Sequence, residues 1–296
     1  MHPGTRSFLK SLPFWLLSLA AFRGPLLTLV NLSLHDDRYS HVALIPLLSV
    51  VVMFFERKKI LSDARCSLKW GIPLLCLAAV SCYGLRREFA GSAIYGLCVS
   101  ILGMLLLWMA GFVFWFGPRA FRRAVFPLSL LALMIPIPDP LLRKLVLGLQ
   151  HASADMSALL FRFLRVPAFR EGMIFSLPGL NIEIAEQCSG IRSSIASFLA
   201  SLLLGHLFLR SARHRIFLAA LTLPLVIFRN ALRIVTIATL AVYVNRGFLY
   251  GGLHHLGGIA FSVLDIAFFA LLMTGFQKSE EATATVSAAA SAGAMR

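Results

Sequence analysis

One cysteine occupies a position at which a thiol can become a nucleophile. Cys188 follows a stretch from Leu180 to Gln187 in which apolar and polar residues alternate, and it precedes an apolar run from Ile191 that predicts a membrane helix. The first turn of a helix offers unpaired N–H groups and a partial positive charge, which lower the pKa of a thiol. Arg192, one turn further on, could add a cation. The pattern predicts a thiolate that is reactive near neutral pH.

The composition indicates a protein that crosses a membrane several times. Of the 296 residues 58% are hydrophobic and 14% are charged, and the mean hydropathy is +0.82. This is more apolar surface than a soluble core can bury. The net charge of +15 is explained by Lys and Arg in cytoplasmic loops, so we expect membrane lipid and no nucleic acid as a partner. The five cysteines show no metal-ligand spacing, and we expect no metal, cofactor or disulfide framework.

The apolar segments predict an all-α polytopic membrane protein with about eight transmembrane helices. The longer segments suffice to cross a hydrocarbon core of about 30 Å. We predict one membrane domain over residues 1–276 and a disordered tail over 277–296, because that stretch is rich in Ala, Ser and Thr. The predicted spans are Phe8–Leu34, Val42–Phe55, Trp70–Leu85, Ala90–Phe116, Ala124–Ile135, Ile191–Leu209, Ile216–Val244 and Leu253–Phe276.

The stretch between the fifth and sixth spans has a different pattern. Apolar residues recur at three- and four-residue spacing over Leu141–Val166, and polar residues fill the other face, which predicts an extracytoplasmic amphipathic helix in the membrane interface. Two short β-like runs follow, Met173–Leu177 and Leu180–Ile184, joined by a Pro-Gly pair. Because Pro-Gly is typical of a tight turn, we predict a β-hairpin that delivers the chain to Cys188.

The distribution of Lys and Arg predicts the orientation of the chain. With eight spans and a cytoplasmic N-terminus, the inside segments hold 15 of these residues and the outside segments nine, five of them in one long loop. Since short loops obey the positive-inside rule and long ones need not, we predict a multi-pass protein of the plasma (inner) membrane with both termini cytoplasmic. Cys188, Arg233 and His254 then all lie on the extracytoplasmic side.

A thiol, a guanidinium and an imidazole at one face of the membrane can together catalyse acyl transfer. The thiolate of Cys188 can attack a carbonyl carbon, and the guanidinium of Arg233 can hold the resulting oxyanion. The imidazole of His254 can move a proton between the leaving and entering groups. An ionisable group inside a span is expensive to bury and is by default a functional candidate. We therefore predict an active site at the extracytoplasmic face.

Three motifs in this order resemble the signature of the exosortase/archaeosortase family. They are Cys188-Ser189-Gly190, Asn230-Ala231-Leu232-Arg233, and His254 followed four residues later by Gly258, accompanied upstream by Tyr39-Ser40-His41 and Pro136-Ile137-Pro138. Members are regarded as membrane-embedded cysteine transpeptidases whose protein substrates carry a C-terminal sorting signal: a short motif such as PEP, a transmembrane helix and a basic cluster. The resemblance covers roughly Asp36 to Leu272. It implies that Cys188 is the nucleophile, His254 the acid/base and Arg233 the partner of the oxyanion or thiolate.

The acid/base assignment has an alternative. His255 adjoins His254, and only the spacing to Gly258 favours the first of the two. Two further polar residues stand close to the motifs, Arg192 at the start of the sixth span and Asn230 within the seventh. We treat both as possible supporting residues of the predicted site.

The arginines of the seventh span also allow two interpretations. Arg229 lies one helical turn from Arg233 and on the same face, so either guanidinium could reach the site. Both could instead be structural and pair with a carboxylate such as Glu183 or with backbone carbonyls. Asp265, in the middle of the last span, has no assigned role, and Arg23 is one candidate partner for it.

Two classes of function agree with the sequence. The first is an intramembrane cysteine protease or transpeptidase that acts on sorting signals through a thioester on Cys188. The second is a non-catalytic transporter or assembly partner in exopolysaccharide export, whose inner arginines would hold an anionic substrate. A transporter should tolerate Cys188→Ser, whereas a thiol nucleophile should not. The absence of internal repeats from the sequence also counts against transport.

Overall fold

The computed structural model describes residues 3–88, 91–184, 190–249 and 252–293 of the chain. These residues are helical apart from short connections and one small sheet, which confirms the predicted predominance of helix. By its internal contacts the chain divides into two compact units, Met1–Leu142 and Arg143–Arg296. The single membrane domain over residues 1–276 stays a prediction.

The central element of the first unit is α6, which packs against α1, α2, α4 and α5. Its side chains are buried along most of its length, and Ile101 and Met104 are fully enclosed. The helices of this unit are α1 (Pro3–Ala21), α2 (Arg23–His35), α3 (Leu44–Phe55), α4 (Arg57–Leu61), α5 (Leu68–Glu88), α6 (Ala93–Arg123) and α7 (Val125–Leu130), with 3₁₀ turns at Asp37–Tyr39 and Leu131–Met134.

The first predicted span consists of two helices. The axes of α1 and α2 form an angle of 68°, and the backbone leaves helical geometry at Phe22, where φ is −101° and ψ is 15°. Pro25 lies in the first turn of α2, where its missing N–H removes no helical hydrogen bond. In one continuous helix the same proline would clash with the preceding turn, so the chain bends before it.

The predicted number of eight spans is not confirmed. Among the described residues, four helices are long and apolar enough to cross a membrane, namely α5, α6, α9 (Ile191–Phe208) and α10 (Ala212–Tyr243). The number rises to six if each of two bent helix pairs forms one span. The second predicted span corresponds to α3, whose 12 residues extend about 18 Å and fall short of a 30 Å core. The chain is thus a multi-pass membrane protein, with some of its apolar helices too short to cross alone.

The second unit contains most of α8, a small sheet and a trio of helices. The members α9, α10 and α11 of this trio contact one another in every pair. A core of Phe161, Phe175, Ile184 and Val235 joins α8, the sheet and α10. The elements are α8 (Asp139–Phe163), β1 (Phe169–Glu171), β2 (Ile174–Leu177), β3 (Leu180–Glu183), α9 (Ile191–Phe208), α10 (Ala212–Tyr243) and α11 (Gly252–Gly293).

The sheet contains the predicted hairpin and one additional strand. Antiparallel β2 and β3 pair Leu177 with Leu180 across the Pro-Gly turn, and Gly179 has φ +74°, the conformation that a type II turn requires after proline. Strand β1 pairs with β2 on its other edge and was not predicted. Its residues, Phe169–Glu171, include two charges and lack apolar alternation, so their pairing depends on β2 and not on a pattern of their own.

Helix α11 continues well beyond the predicted end of the last span. Residues 277–293, for which the sequence predicts disorder, are helical, and their many alanines favour that conformation. Glu280 fixes this extension to the start of α10. Its carboxylate accepts hydrogen bonds from the backbone N–H groups of Arg210 and Ser211, at 3.0 and 2.8 Å, and lies 2.9 Å from Nδ1 of His214.

Candidate active site

The predicted nucleophile, Cys188, lies outside the described residues, but the chain on both sides of it is fixed. On the upstream side Ile184 is buried; its N–H donates to the carbonyl of Met173 at 2.9 Å, and its own carbonyl accepts from Nε2 of Gln150 at 3.1 Å. On the downstream side Gly190 forms the N-cap of α9. Residues 185–189 therefore connect the end of β3 to the first turn of α9.

Gly190 is required by both its backbone conformation and its neighbour. Its φ is +72°, in the left-handed region that glycine adopts without strain. A Cβ at this position would lie 3.3 Å from Cγ of Asn230. The Gly190 carbonyl accepts hydrogen bonds from the hydroxyls of Ser193 and Ser194, at 2.9 and 2.8 Å, which secure the first turn of α9. The glycine thus lets the chain turn into α9 while lying directly against α10.

Asn230 is the residue of α10 on which Gly190 packs. Its side chain is only 3% exposed, and its Nδ2 donates to the hydroxyl of Ser153 on α8 at 3.1 Å. The first and second motifs, which are about forty residues apart in the sequence, therefore meet at Gly190 and Asn230. This contact also ties both motifs to α8.

Arg229 forms a buried ion pair with Asp265 of α11. The two side chains are 7% and 5% exposed. Arg229 also donates to the hydroxyl of Ser193, and the hydroxyl of Ser197 donates to Oδ2 of Asp265 at 2.8 Å. The partner of Asp265 is therefore Arg229 and not Arg23. These four side chains connect α9, α10 and α11, and we call them the buried charge cluster.

The buried charge cluster is a specific link and not a general source of stability. Transfer of two charges from water into an apolar interior is costly, and the pair is tolerated only when further hydrogen bonds satisfy it. The serines of α9 supply such bonds, while Oδ1 of Asp265 is buried without a hydrogen-bond partner among the described residues. The guanidinium of Arg229 is thus held between α9 and α11, so it is the less suitable of the two arginines for binding a reaction intermediate.

The remaining predicted site residues occupy the same three helices. Arg233 lies one turn beyond Arg229 on α10 and is half-buried, and Arg192 is exposed in the first turn of α9. His254 and His255 fall in the first turn of α11, which begins at Gly252, and their side chains lie outside the described part of the chain. The structure therefore brings together the helices that carry the three motifs. The thiol of Cys188 and the imidazoles of His254 and His255 lie outside the described part of the structure.

In the first unit, the upstream Tyr-Ser-His motif binds to the Pro-Ile-Pro segment. Tyr39 is buried, and its hydroxyl donates to the carbonyl of Ile137 at 2.8 Å. Burial raises the pKa of Tyr39 to about 12, so the phenol stays protonated and remains a donor at neutral pH. The thiol of Cys98 donates to the carbonyl of Pro136 at 2.9 Å. Tyr39 and Cys98 thus fix this proline-rich segment from two sides of the sequence.

Sequence analysis missed the polar contacts that α8 contributes. Gln150 belongs to the polar residues that the sequence pattern turns away from the apolar face of the predicted interfacial helix, but it is buried and its Nε2 donates to the carbonyl of Ile184. Ser153 and Ser157, three and seven residues later, are buried as well. Their spacing marks one face of a helix, and small polar residues on such a face are typical of close helix contacts in membranes. That signal could have been used to predict a buried side of α8.

The fold and the candidate site define a multi-pass membrane protein with a cysteine motif at the start of a helix. A family model described as transmembrane exosortase matches residues 32–274 of the chain. The chain therefore belongs to the transmembrane exosortase family, as its three motifs suggest. No curated protein and no solved structure matches it.

Proposed function

We propose that this protein is an intramembrane cysteine protease or transpeptidase that cleaves the C-terminal sorting signals of exported proteins through a thioester on Cys188. Membership of the transmembrane exosortase family supports a reaction of this class. The observation that carries the proposal is the packing of Gly190 on Asn230, because it joins the cysteine motif to the arginine motif. Arg233 lies about one turn along α10 from Asn230 and is the basic residue of the second motif.

The first half of the proposed reaction forms the thioester. The Cys188 thiolate attacks the carbonyl carbon of the scissile peptide bond, and the carbonyl oxygen becomes an oxyanion that Arg233 holds. When the intermediate collapses, the C–N bond breaks and protonated His254 gives its proton to the leaving amine. The products of this half are an acyl group on sulfur and a released C-terminal segment.

The second half regenerates the enzyme. An incoming water or amine attacks the thioester carbonyl, and neutral His254 accepts its proton while Arg233 again holds the oxyanion. The C–S bond then breaks, and Cys188 leaves as a thiolate. Water gives a cleaved protein and an amine gives a transferred one, so the same groups serve both outcomes. His255 replaces His254 in this scheme if it is the histidine that faces the sulfur.

Arg229 has a supporting role in this scheme. Its ion pair with Asp265 and its bond to Ser193 fix α9 relative to α10 and α11 one turn from Arg233. The proposed substrate enters with its transmembrane helix in the bilayer and its motif at the extracytoplasmic face, on which the charge distribution leads us to expect Cys188. The basic cluster that ends the sorting signal then remains on the cytoplasmic side.

Processing of a sorted protein in cells tests the proposal. A reporter that ends in a short motif, an apolar helix and a basic cluster should be shortened when the wild-type chain is present. Cys188→Ala should abolish that shortening, and Cys188→Ser should nearly do so, since a hydroxyl is a far weaker nucleophile than a thiolate at neutral pH. The matched control is Cys66→Ala, which removes an exposed thiol elsewhere. Normal processing by Cys188→Ala would replace this proposal with the non-catalytic role in exopolysaccharide export.

A further inference from the structure

A cavity of about 360 Å³ lies between α5 and α6 of the first unit. Its wall is formed by apolar side chains, with Ser81 as its only hydroxyl-bearing residue. Both helices are among those long and apolar enough to cross a membrane, and α5 is largely unburied within the chain. The residues that define its extent are Trp70, Leu74, Ala78 and Ser81 of α5 and Met109 and Phe121 of α6.

The dimensions of the cavity match a hydrocarbon chain. Trp70 and Ser81 are eleven residues apart on α5, which corresponds to about 16 Å along the helix axis. One leaflet contributes about half of the 30 Å hydrocarbon core of a bilayer. The cavity therefore extends far enough along α5 to take an acyl chain of one leaflet.

Backbone contacts between the segment before α5 and the C-terminal part of α6 fix one end of this cavity. Helix α6 breaks at Gly117, where φ is +83° and an added Cβ would lie 2.5 Å from the carbonyl oxygen of Arg65. The N–H of Arg65 donates to the carbonyl of Phe116 at 3.1 Å, and that of Ser67 donates to Phe114 at 2.9 Å. These bonds fasten the segment before α5 to the end of α6, so the charged residues of both segments gather at this rim.

Three cations at the rim have no ion-pair partner in the described part of the chain. Lys69, Arg119 and Arg122 are exposed, and each is next in sequence to a residue that lines the cavity. Their neighbour Arg123 differs, because it forms an ion pair with Asp63 at 2.6 Å. Trp70, which is largely exposed at the same end, is a residue typical of the membrane interface. An apolar groove that ends in a cluster of available cations is complementary to an anionic amphiphile.

We propose that the groove between α5 and α6 binds an anionic phospholipid. One acyl chain occupies the cavity, and Lys69, Arg119 and Arg122 hold the phosphate and headgroup at its rim. A basic pocket between two membrane helices is a recognised basis for selecting anionic headgroups. The transmembrane helix of a protein that ends in a basic cluster fits less well, because its charges would be repelled by the same three residues. The site is independent of the cysteine chemistry.

Lipid retention by the purified full-length chain tests this site. The wild-type protein in nanodiscs or mild detergent would be titrated with phosphatidylglycerol and, separately, with phosphatidylcholine of identical acyl chains, and bound lipid would be counted by native mass spectrometry. The rim variant Lys69→Gln, Arg119→Gln, Arg122→Gln should bind phosphatidylglycerol roughly ten- to hundred-fold more weakly. A control with the same charge loss, Arg143→Gln, Lys144→Gln, Arg213→Gln, should retain the wild-type affinity, since these exposed residues belong to α8 and α10 and not to the helices that line the groove.

The apolar half of the site requires its own variant. Ala78→Phe fills the cavity and should lower the number of retained lipids by one without a change in charge. Ser81→Leu, at the far end, serves the same purpose if the first variant does not fold. The proposal is overturned if phosphatidylcholine binds as tightly as phosphatidylglycerol, if the control loses as much affinity as the rim variant, or if a folded cavity-filling variant retains the lipid.

Discussion

Two arginines one turn apart on α10 have different surroundings, and this difference determines their assigned roles. Arg229 is almost completely buried and is engaged by Asp265 and Ser193. Arg233 is half-buried. It lies one turn closer than Arg229 to the C-terminal end of α10, beyond the contact between Asn230 and Gly190. A guanidinium that already neutralises a carboxylate is a poor ligand for a new oxyanion, which argues against Arg229 in that role; the proposal gives oxyanion binding to Arg233 because it belongs to the second motif.

Substitution of each arginine by lysine should separate these roles. Arg233→Lys keeps the charge but loses the planar, bidentate group, and we expect a loss of processing of about 100-fold or more, as for removal of an oxyanion donor. Arg229→Lys should reduce processing far less, because its charge remains beside Asp265. The measurement is the initial rate of reporter cleavage at equal protein levels. Equal tolerance at both positions would assign both arginines to structure.

Asp265 should matter for stability through the charge that it neutralises. Asp265→Asn leaves Arg229 buried without a counter-charge, which typically costs about 3–5 kcal/mol. Ser197→Ala removes one hydrogen bond to the same carboxylate and should cost about 1 kcal/mol. The double variant Arg229→Met, Asp265→Leu removes both charges and should recover most of the lost stability. Denaturant unfolding in detergent measures all three, and wild-type stability of Asp265→Asn would contradict the pairing.

At the residue scale the sequence identified the groups but not their contacts. The spacing of the motifs singled out Cys188, Asn230 and Arg233, because unusual residue types in apolar spans can be recognised without a structure. The pairing of Arg229 with Asp265 could not be predicted, since it joins residues 36 positions apart through the packing of α10 on α11. Hydropathy contains no information on which faces of two helices meet.

At the scale of elements, the extension of α11 is the clearest difference between expectation and structure. An Ala/Ser/Thr-rich stretch after a span is compatible with disorder or with helix, and composition alone does not decide between them. The contacts of Glu280 with Arg210, Ser211 and His214 favour helix, because the carboxylate satisfies backbone N–H groups at the start of α10. The stacking of Phe276 on His214, with ring centres 5.0 Å apart, supports the same docking. This is long-range information that the local sequence lacks.

The docking of α11 should depend on pH through Glu280. Burial raises the pKa of this carboxyl, but hydrogen bonds from Arg210, His214 and Ser211 outweigh it and lower the pKa from 4.5 to about 2. A carboxyl whose pKa is lower in the folded than in the unfolded chain stabilises the fold when the pH is above the unfolded pKa. That stabilisation is lost as the pH falls from about 4.5 to about 2. Wild-type protein should therefore lose thermal stability relative to Glu280→Gln over this interval.

The neighbouring acid provides the control for that measurement. Glu281 is exposed, and Glu281→Gln removes the same charge one position away. Its melting temperature should follow that of the wild type at every pH. If Glu280→Gln and Glu281→Gln show the same pH dependence as the wild type, then Glu280 does not hold the end of α11 to the start of α10.

At the scale of the whole molecule, the charge distribution predicts which side of the membrane holds the candidate site. A reporter fused after Arg213, in the basic segment that begins α10, should read cytoplasmic, and one fused after Gly247 should read extracytoplasmic. The physical reason is the retention of short basic loops on the cytoplasmic side. Paired alkaline phosphatase and fluorescent protein fusions measure both positions. The reverse pair of readings would place the cysteine motif in the cytoplasm and would contradict the proposed reaction with exported proteins.

The most direct test of the proposed function is detection of the acyl-enzyme. Purified wild-type chain would be mixed with a peptide substrate that contains the sorting motif, quenched in acid and analysed by intact and peptide mass spectrometry. We predict an adduct with the mass of the acyl fragment on Cys188, removed by hydroxylamine as a thioester should be, and absent from Cys188→Ala. The four described cysteines, Cys66, Cys76, Cys82 and Cys98, should stay unmodified. Cleavage of the peptide by Cys188→Ala at the wild-type rate would contradict the account.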